Sequence, residues 1–222
     1  MIEHNLLLLL HLLLFVYWLG ADLGVFYASG WVANPRLTRE ARAAVLRVML
    51  WIDQVPRLCL VLMLPVGYML GFHLGLLSAG VTTIVVAWTV GIAWLVMVIA
   101  IHHAQGTQRG ERLRKFDMGF RIALILVLTA DAWSSLLTAG HIQAPWMAVK
   151  VQIYALLIFF GLMIRVVTQP FVVAFGQMMR EGSTPQLEQS IATGLARARP
   201  WVIAIWVGLI AAAFIGLQKP AF

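Results

Sequence analysis

The chain has 222 residues, of which 62% are hydrophobic and only 11% are charged, and its mean hydropathy is +0.90. Because soluble domains carry about 25% charged residues, this composition excludes a soluble globular protein and indicates a polytopic membrane protein. The net charge of +7 indicates basic cytoplasmic loops rather than a nucleic-acid partner, and the single cysteine excludes an intrachain disulfide and a CxxC metal site.

The first apolar segment, residues 5–33, predicts a spanning helix that is retained, since it lacks a basic leader and is too long for a signal peptide. Within it, His11, Phe15, Trp18 and Asp22 fall at i, i+4, i+7 and i+11, so they share one helical face. An imidazole and a carboxylate are costly to bury in lipid, and such residues usually face a bundle interior. We therefore expect a functional site on this face.

Five further apolar segments follow, and each is long enough to cross a bilayer core of about 30 Å. They cover residues 38–72, 77–103, 116–140, 146–179 and 191–217. Pro56 and Pro65 are expected to kink the second helix, and Pro170 to bend the end of the fifth. The predicted fold class is an all-α transmembrane bundle of about six spanning helices, with residues 1–222 forming a single integral membrane domain.

The basic residues divide sharply between the two sides of the predicted bundle. They gather in the segments between helices one and two, three and four, and five and six, whereas the opposite side holds only Lys150 and Lys219. The first of these segments contains Arg36, Arg39, Arg42 and Arg47. The positive-inside rule places the basic side in the cytoplasm and both termini outside. We expect a multi-pass protein of the bacterial inner membrane, with the lipid bilayer as its surroundings.

Most of the histidines fall on the predicted outer side. His4, His11, His73 and His141 lie there, and Lys150 begins the fifth helix on the same side. Imidazole suits haem iron, copper and zinc, so the pattern predicts a cofactor site with His11, His73 and His141 as metal ligands. The alternative is that His73 and His141 are only polar residues in the headgroup region.

A second constellation combines charges of the first two helices. Asp22 and Arg57 lie nearly equally far from the turn that joins these helices, so we expect them at similar depth. Asp53 precedes Arg57 by four residues and shares its face. The pattern predicts a buried Asp22–Arg57–Asp53 network that neutralises costly charges. It is open whether this network only packs, forms a proton path, or places Arg57 against a haem propionate.

The middle of the fourth helix carries another carboxylate, Asp131. We expect it to pair with Lys150 or Arg165 of the fifth helix, or to belong to a proton route from outside. Arg165 is predicted toward the cytoplasmic half, where a carboxylate, a haem propionate or an anionic lipid would suit it.

Two segments, HLLLFVYWLGADLGVF and APWMAVKVQIYALLIFFGLMIR, resemble the superfamily of CopD-type copper-resistance membrane proteins, HemJ-type protoporphyrinogen oxidases and related bacterial membrane proteins. The resemblance implies a helical bundle that can hold b-type haem. In the HemJ-like branch a first-helix histidine and a helix-start lysine are important, and they correspond to His11 and Lys150. The CopD-like branch implies copper handling at the periplasmic face. This chain departs from the HemJ pattern in having six spans rather than four, and in the residues after Gly20.

Our leading expectation is a haem b protein that transfers electrons between quinone and a periplasmic redox partner, or that oxidises a small substrate. His11 would be an axial ligand, with His73, His141 or Lys150 opposite it.

Two alternatives belong to other classes. The first is a copper, small-solute or proton-coupled transporter with Asp22, Asp53 and Asp131 as coupling carboxylates. The second is an accessory structural subunit, bound to other membrane subunits or to further copies of itself, in which the buried charges fix helix register.

Overall fold

The computed structural model describes residues 2–138 and 140–220. This part of the chain forms eight helices joined by short connections. They are α1 (Ile2–Val32), α2 (Arg39–Ile52), α3 (Gln54–His73), α4 (Gly80–His103), α5 (Gln108–Leu137), α6 (Pro145–Val167), α7 (Gln169–Glu181) and α8 (Pro185–Gln218).

Six helical units of the described chain are long and apolar enough to cross a membrane, which confirms the predicted all-α fold with six spans. Two of these units consist of two helices each, α2 with α3 and α6 with α7, and the other four are α1, α4, α5 and α8.

Two helices begin well before their apolar segments. The Thr107 side chain accepts a hydrogen bond from the Gly110 N–H and Thr184 accepts one from Leu187, so each caps a helix start that hydropathy does not mark.

Prolines divide two of the six units. Proline lacks the N–H that a helix interior needs, and its ring clashes with a carbonyl of the preceding turn. The break between α2 and α3 falls at Asp53, three residues before Pro56, and the break between α6 and α7 falls at Thr168, two residues before Pro170. Pro65 stays inside α3, where it is buried.

The spanning helices form two rows of three. α3 packs between α1 and α4, and α6 packs between α5 and α8, while contacts of α1 with α8 and of α4 with α5 join the rows. The two middle helices are the most buried of the six. Glycine permits the closest approach of α3 and α4, since a Cβ at Gly91 would lie 2.9 Å from Pro65 Cγ.

A second apolar cluster lies on the arginine-rich side, where α2 and α7 meet the ends of α1 and α8. Arg42 is buried within it, although its place between predicted helices suggested an exposed loop charge. Its Nε donates to the Val32 carbonyl at 2.8 Å, and its Nη1 donates to Glu188 at 2.7 Å. The guanidinium also lies over the Phe175 ring. This arginine therefore ties α2 to α1, α7 and α8.

Helices α7 and α8 pack closely at Gly194, so an added methyl group there should disrupt their contact. A Cβ there would lie 2.8 Å from Phe171 Cβ and 2.9 Å from the Phe171 backbone nitrogen, which cannot rotate away. We expect Gly194→Ala to lower the free energy of unfolding by about 1–3 kcal/mol, measured by thermal unfolding in detergent. Gly161→Ala is the control because nothing lies within 4 Å of its added Cβ. Equal stability of the two variants would contradict the close packing.

Candidate functional site

Three polar side chains form a hydrogen-bonded cluster near the helix ends that lie opposite the arginine-rich side, which is the predicted outer side. The Tyr68 hydroxyl donates to Asp131 Oδ2 at 2.9 Å. His141 Nδ1 lies 2.6 Å from Asp131 Oδ1, within hydrogen-bonding distance. The Tyr68 and His141 rings stack, with centroids 6.4 Å apart and planes 11° apart. We call Tyr68, Asp131 and His141 the outer cluster.

The connection between α5 and α6 aims His141 back into the bundle. The backbone of this connection is hydrogen-bonded to the connection between α3 and α4. The Ser78 N–H donates to the His141 carbonyl, and the Gln143 N–H donates to the Leu76 carbonyl, both at 2.9 Å. These bonds fix the His141 backbone opposite the end of α3. The imidazole is therefore held against Asp131 of α5 by tertiary contacts rather than by helical spacing.

One nitrogen of His141 is left free. While Nδ1 faces the carboxylate, Nε2 is buried and has no hydrogen-bond partner within the described residues. Metal-ligating histidines commonly have this arrangement, with one ring nitrogen on a carboxylate and the other available. A histidine that accepts and releases protons also needs an available nitrogen. The geometry of the outer cluster is compatible with both roles.

His11, the first residue that the sequence singled out, lies against α3. A Cβ added at Gly67 would be 3.6 Å from His11 Cε1, and the buried His11 Nδ1 has no partner within the described chain. Lys150 lies within electrostatic range of His11. Its Nζ is 6.0 Å from the centroid of the Trp146 ring and would be 2.7 Å from a Cβ at Gly216 of α8. The two residues of the HemJ-like resemblance thus lie within electrostatic range of each other, but no hydrogen bond joins them within the described residues.

The three predicted metal ligands face three different surroundings. His11 packs on Gly67, exposed His73 faces His4 with ring centroids 6.4 Å apart, and His141 faces Asp131. Across residues 2–138 and 140–220, no three His, Cys, Asp or Glu side chains come together as a group that could hold a metal ion.

The predicted network of Asp22, Asp53 and Arg57 forms in part. Arg57 Nη2 donates to Asp53 one helical turn away. Asp22 lies within electrostatic range of both residues, which agrees with the expected similar depth, but in the described structure it forms no ion pair with either. The direct pair is therefore Arg57 with Asp53.

Neither predicted partner of Asp131 reaches it, since its contacts are Tyr68 and His141, whereas Arg165 pairs elsewhere. Lys150 lies toward Gly216 of α8 instead, and for Arg165 the reason is depth. Arg165 binds Asp117, which is 14 residues before Asp131 on α5, and at 1.5 Å per residue this corresponds to about 21 Å along the helix. Sequence distance alone did not reveal how the ends of α5 and α6 align.

A second cluster, which the sequence analysis missed, lies in the half of the bundle nearer the arginine-rich side. The fully buried Asp117 accepts hydrogen bonds from Trp94 Nε1 at 3.2 Å, from Arg121 Nε at 3.0 Å and from Arg165 Nη1 at 2.8 Å. The buried Arg121 guanidinium lies over the Trp94 ring, 5.0 Å from its centroid. We call these four residues the inner cluster.

A sequence signal for the inner cluster existed. Asp117 and Arg121 stand four residues apart, which is the spacing of an ion pair on one helical face. They lie at the start of the predicted fourth helix, directly after the basic segment, so the sequence suggests surface charges like those of that segment. The structure extends α5 back to Gln108, which places the pair more than two turns inside the helix.

The chain matches no protein-family model, no curated protein and no solved structure. The resemblance to CopD-type and HemJ-type proteins therefore remains a prediction, and the functional argument rests on the geometry of the two clusters.

Replacing Asp117 by asparagine should destabilise the fold strongly, because Arg121 and Arg165 would lose the carboxylate that neutralises them. Removing one partner of a buried ion pair costs about 3–5 kcal/mol. We expect Asp117→Asn to lower the midpoint of thermal unfolding in detergent markedly. Glu111→Gln, an exposed change on the same helix, should leave the midpoint near that of the unmodified protein. An unchanged midpoint in Asp117→Asn would show that the carboxylate is not needed for stability.

Proposed function

We propose that this protein is a proton-coupled transporter of a small solute in the bacterial inner membrane, and that the outer cluster is its proton-exchanging site. The observation that supports this most is Asp131, a carboxylate inside a spanning helix, bound to a histidine with a free second nitrogen. Ionisable groups within spanning helices are costly and often mark proton or ion pathways.

In this proposal each member of the outer cluster has one task. His141 accepts a proton from the outer side at Nε2, and its Nδ1–H passes a proton to Asp131. Tyr68 holds the other carboxylate oxygen, so the carboxylate keeps its orientation in both protonation states. Side-chain exposures of 29% for His141 and 15% for Asp131 place the pair at the boundary between surface and interior.

A further buried polar group lies nearer the arginine-rich side. The Tyr154 hydroxyl donates to the Leu60 carbonyl at 2.6 Å. Leu60 precedes Tyr68 by eight residues on α3, which is about 12 Å along the helix. In the described structure no hydrogen bond joins Tyr68 to Tyr154. We infer that protons cross in steps that accompany side-chain or helix movement, as in a transporter rather than a channel.

Asp131→Asn should abolish proton movement, since an amide side chain does not take up or release a proton near neutral pH. The assay uses the full chain in liposomes with an entrapped pH dye and a potassium diffusion potential, and it measures the proton movement that this potential drives through the protein without added solute. We expect uptake to fall to the rate of protein-free liposomes. Ser134→Ala is the control, because Ser134 is exposed and bonds only to the Asp131 backbone carbonyl. Proton uptake that is equal in Asp131→Asn and the unmodified protein would contradict the proposal.

A haem-binding redox protein is the second candidate, favoured by the same free Nε2 of His141. The fit is partial: His141 has the arrangement of a ligand, but His11 and His73 do not contact it in the described structure. Haem, when bound, would supply electron transfer, and His141 held by Asp131 would be its protein ligand.

An absorption spectrum of the purified protein distinguishes the two candidates. Haem binding predicts a Soret band that shifts on reduction and is lost in His141→Ala, but persists in the rim variant His73→Ala. A spectrum without a Soret band, from cells supplied with haem precursor, would exclude this candidate. Absence of both haem and proton uptake would leave the accessory-subunit function, in which the buried charges only position helices.

A further inference from the structure

We propose that a cleft on the arginine-rich side of the bundle binds a phosphate-type anion. The cleft lies between α3, α4, α5 and α6, beside the inner cluster. Its polar wall consists of Gln54, Arg57, His102, Gln105, Arg121 and Arg165, together with an edge of Asp117. We call it the inner cleft. No step of the proton proposal uses it, so it goes beyond the function proposed above.

The first argument is charge balance. Three guanidinium groups line the inner cleft, and the carboxylates that pair with them are Asp117 in the wall and Asp53 beside Arg57. Among these five paired groups, three positive and two negative charges leave one positive charge in excess, and Asp22, which lies within electrostatic range of Arg57, forms no ion pair with it in the described structure. Because an uncompensated charge inside a membrane bundle is costly, an anion in the cleft would remove that cost.

The second argument is the number of free donors. Arg121 uses Nε and Arg165 uses Nη1 to bind Asp117, and Arg57 uses Nη2 to bind Asp53. The remaining guanidinium nitrogens have no acceptor within the described residues. Guanidinium donors form a planar fork that suits the paired oxygens of phosphate groups. Such donors are typical of anion sites.

The third argument is rigidity. Arg121 is held between the Asp117 carboxylate and the Trp94 ring, and Arg165 is held by the same carboxylate. Two of the three cations are therefore already fixed, which lowers the entropy that binding would cost. Arg57, with a side chain 37% exposed, lies closer to the opening.

Size limits the ligand to a small group. The enclosed part of the inner cleft is only about 10 Å³, room for about one water molecule, and the space out to its open mouth is about 250 Å³. A haem does not fit, and a phosphate group would bind at the mouth of the cleft rather than inside it. The phosphate is either free or part of a lipid, since basic pockets between helices on the cytoplasmic side also bind anionic headgroups.

The test is a thermal-unfolding titration of the full-length protein in an uncharged detergent at constant ionic strength. One arm adds inorganic phosphate against matched chloride, and the other adds phosphatidylglycerol against phosphatidylcholine. A ligand that binds only the folded state raises the unfolding midpoint in a saturable way. A response to phosphate indicates a soluble anion, and a response to phosphatidylglycerol alone indicates a lipid headgroup.

Arg165→Gln and Arg57→Gln should each abolish the response, whereas Arg199→Gln should keep it, because Arg199 lies over the Phe26 ring and not in the cleft wall. If Arg165→Gln does not fold, Arg57→Gln decides, since the half-exposed Arg57 lies outside the Asp117 pairing. No response in either arm, or a response that both cleft variants retain, would overturn the proposal. Proton uptake by the Arg57→Gln protein is measured as well. It reports on the proton proposal alone, so it separates failure of the anion proposal from failure of the proton proposal.

Discussion

The Asp117 carboxylate is the interaction on which much of this bundle depends. It lies fully buried among apolar helices and accepts N–H bonds from Trp94 of α4, Arg121 of α5 and Arg165 of α6. Apolar side chains gain little by leaving lipid for a protein interior, so they specify helix register weakly. A buried charge with three directed donors specifies it strongly, because a shift of one helix would leave a charge unpaired.

The two clusters differ in how their central acid or base is bonded. In the inner cluster both Asp117 oxygens accept hydrogen bonds and the cations around the carboxylate are fixed. In the outer cluster His141 retains a buried nitrogen without a partner in the described structure. A fully bonded buried carboxylate stabilises the fold, whereas a histidine with a free nitrogen can still gain or lose a proton. This contrast is why we assign proton exchange to Asp131 and His141.

The fold could be predicted from the sequence to a large extent. Long apolar segments identified all six spans, and Pro56 and Pro170 indicated where two of them break, because hydropathy and proline chemistry are local properties. Helix starts in polar sequence, such as that of α5 before Asp117, were set too late. Hydropathy marks the apolar part of a helix, not its capped end.

The candidate site could be predicted only in part. His11 and Asp131 were recognised because charge and imidazole are rare in such segments. Their partners depend on how helices align in depth and on the connection that returns His141 to the bundle, and both are tertiary properties. The burial of Arg42 could not be predicted for the same reason, because it arises from contacts with residues as distant in sequence as Glu188.

The central claim, that Asp131 changes its protonation state, is tested most directly by infrared difference spectroscopy of the protein in membranes during a pH titration. The account predicts a carboxylic-acid carbonyl band that appears on acidification and is absent in Asp131→Asn. A titrating carboxyl spectrum that is the same in the unmodified protein and in Asp131→Asn would contradict it.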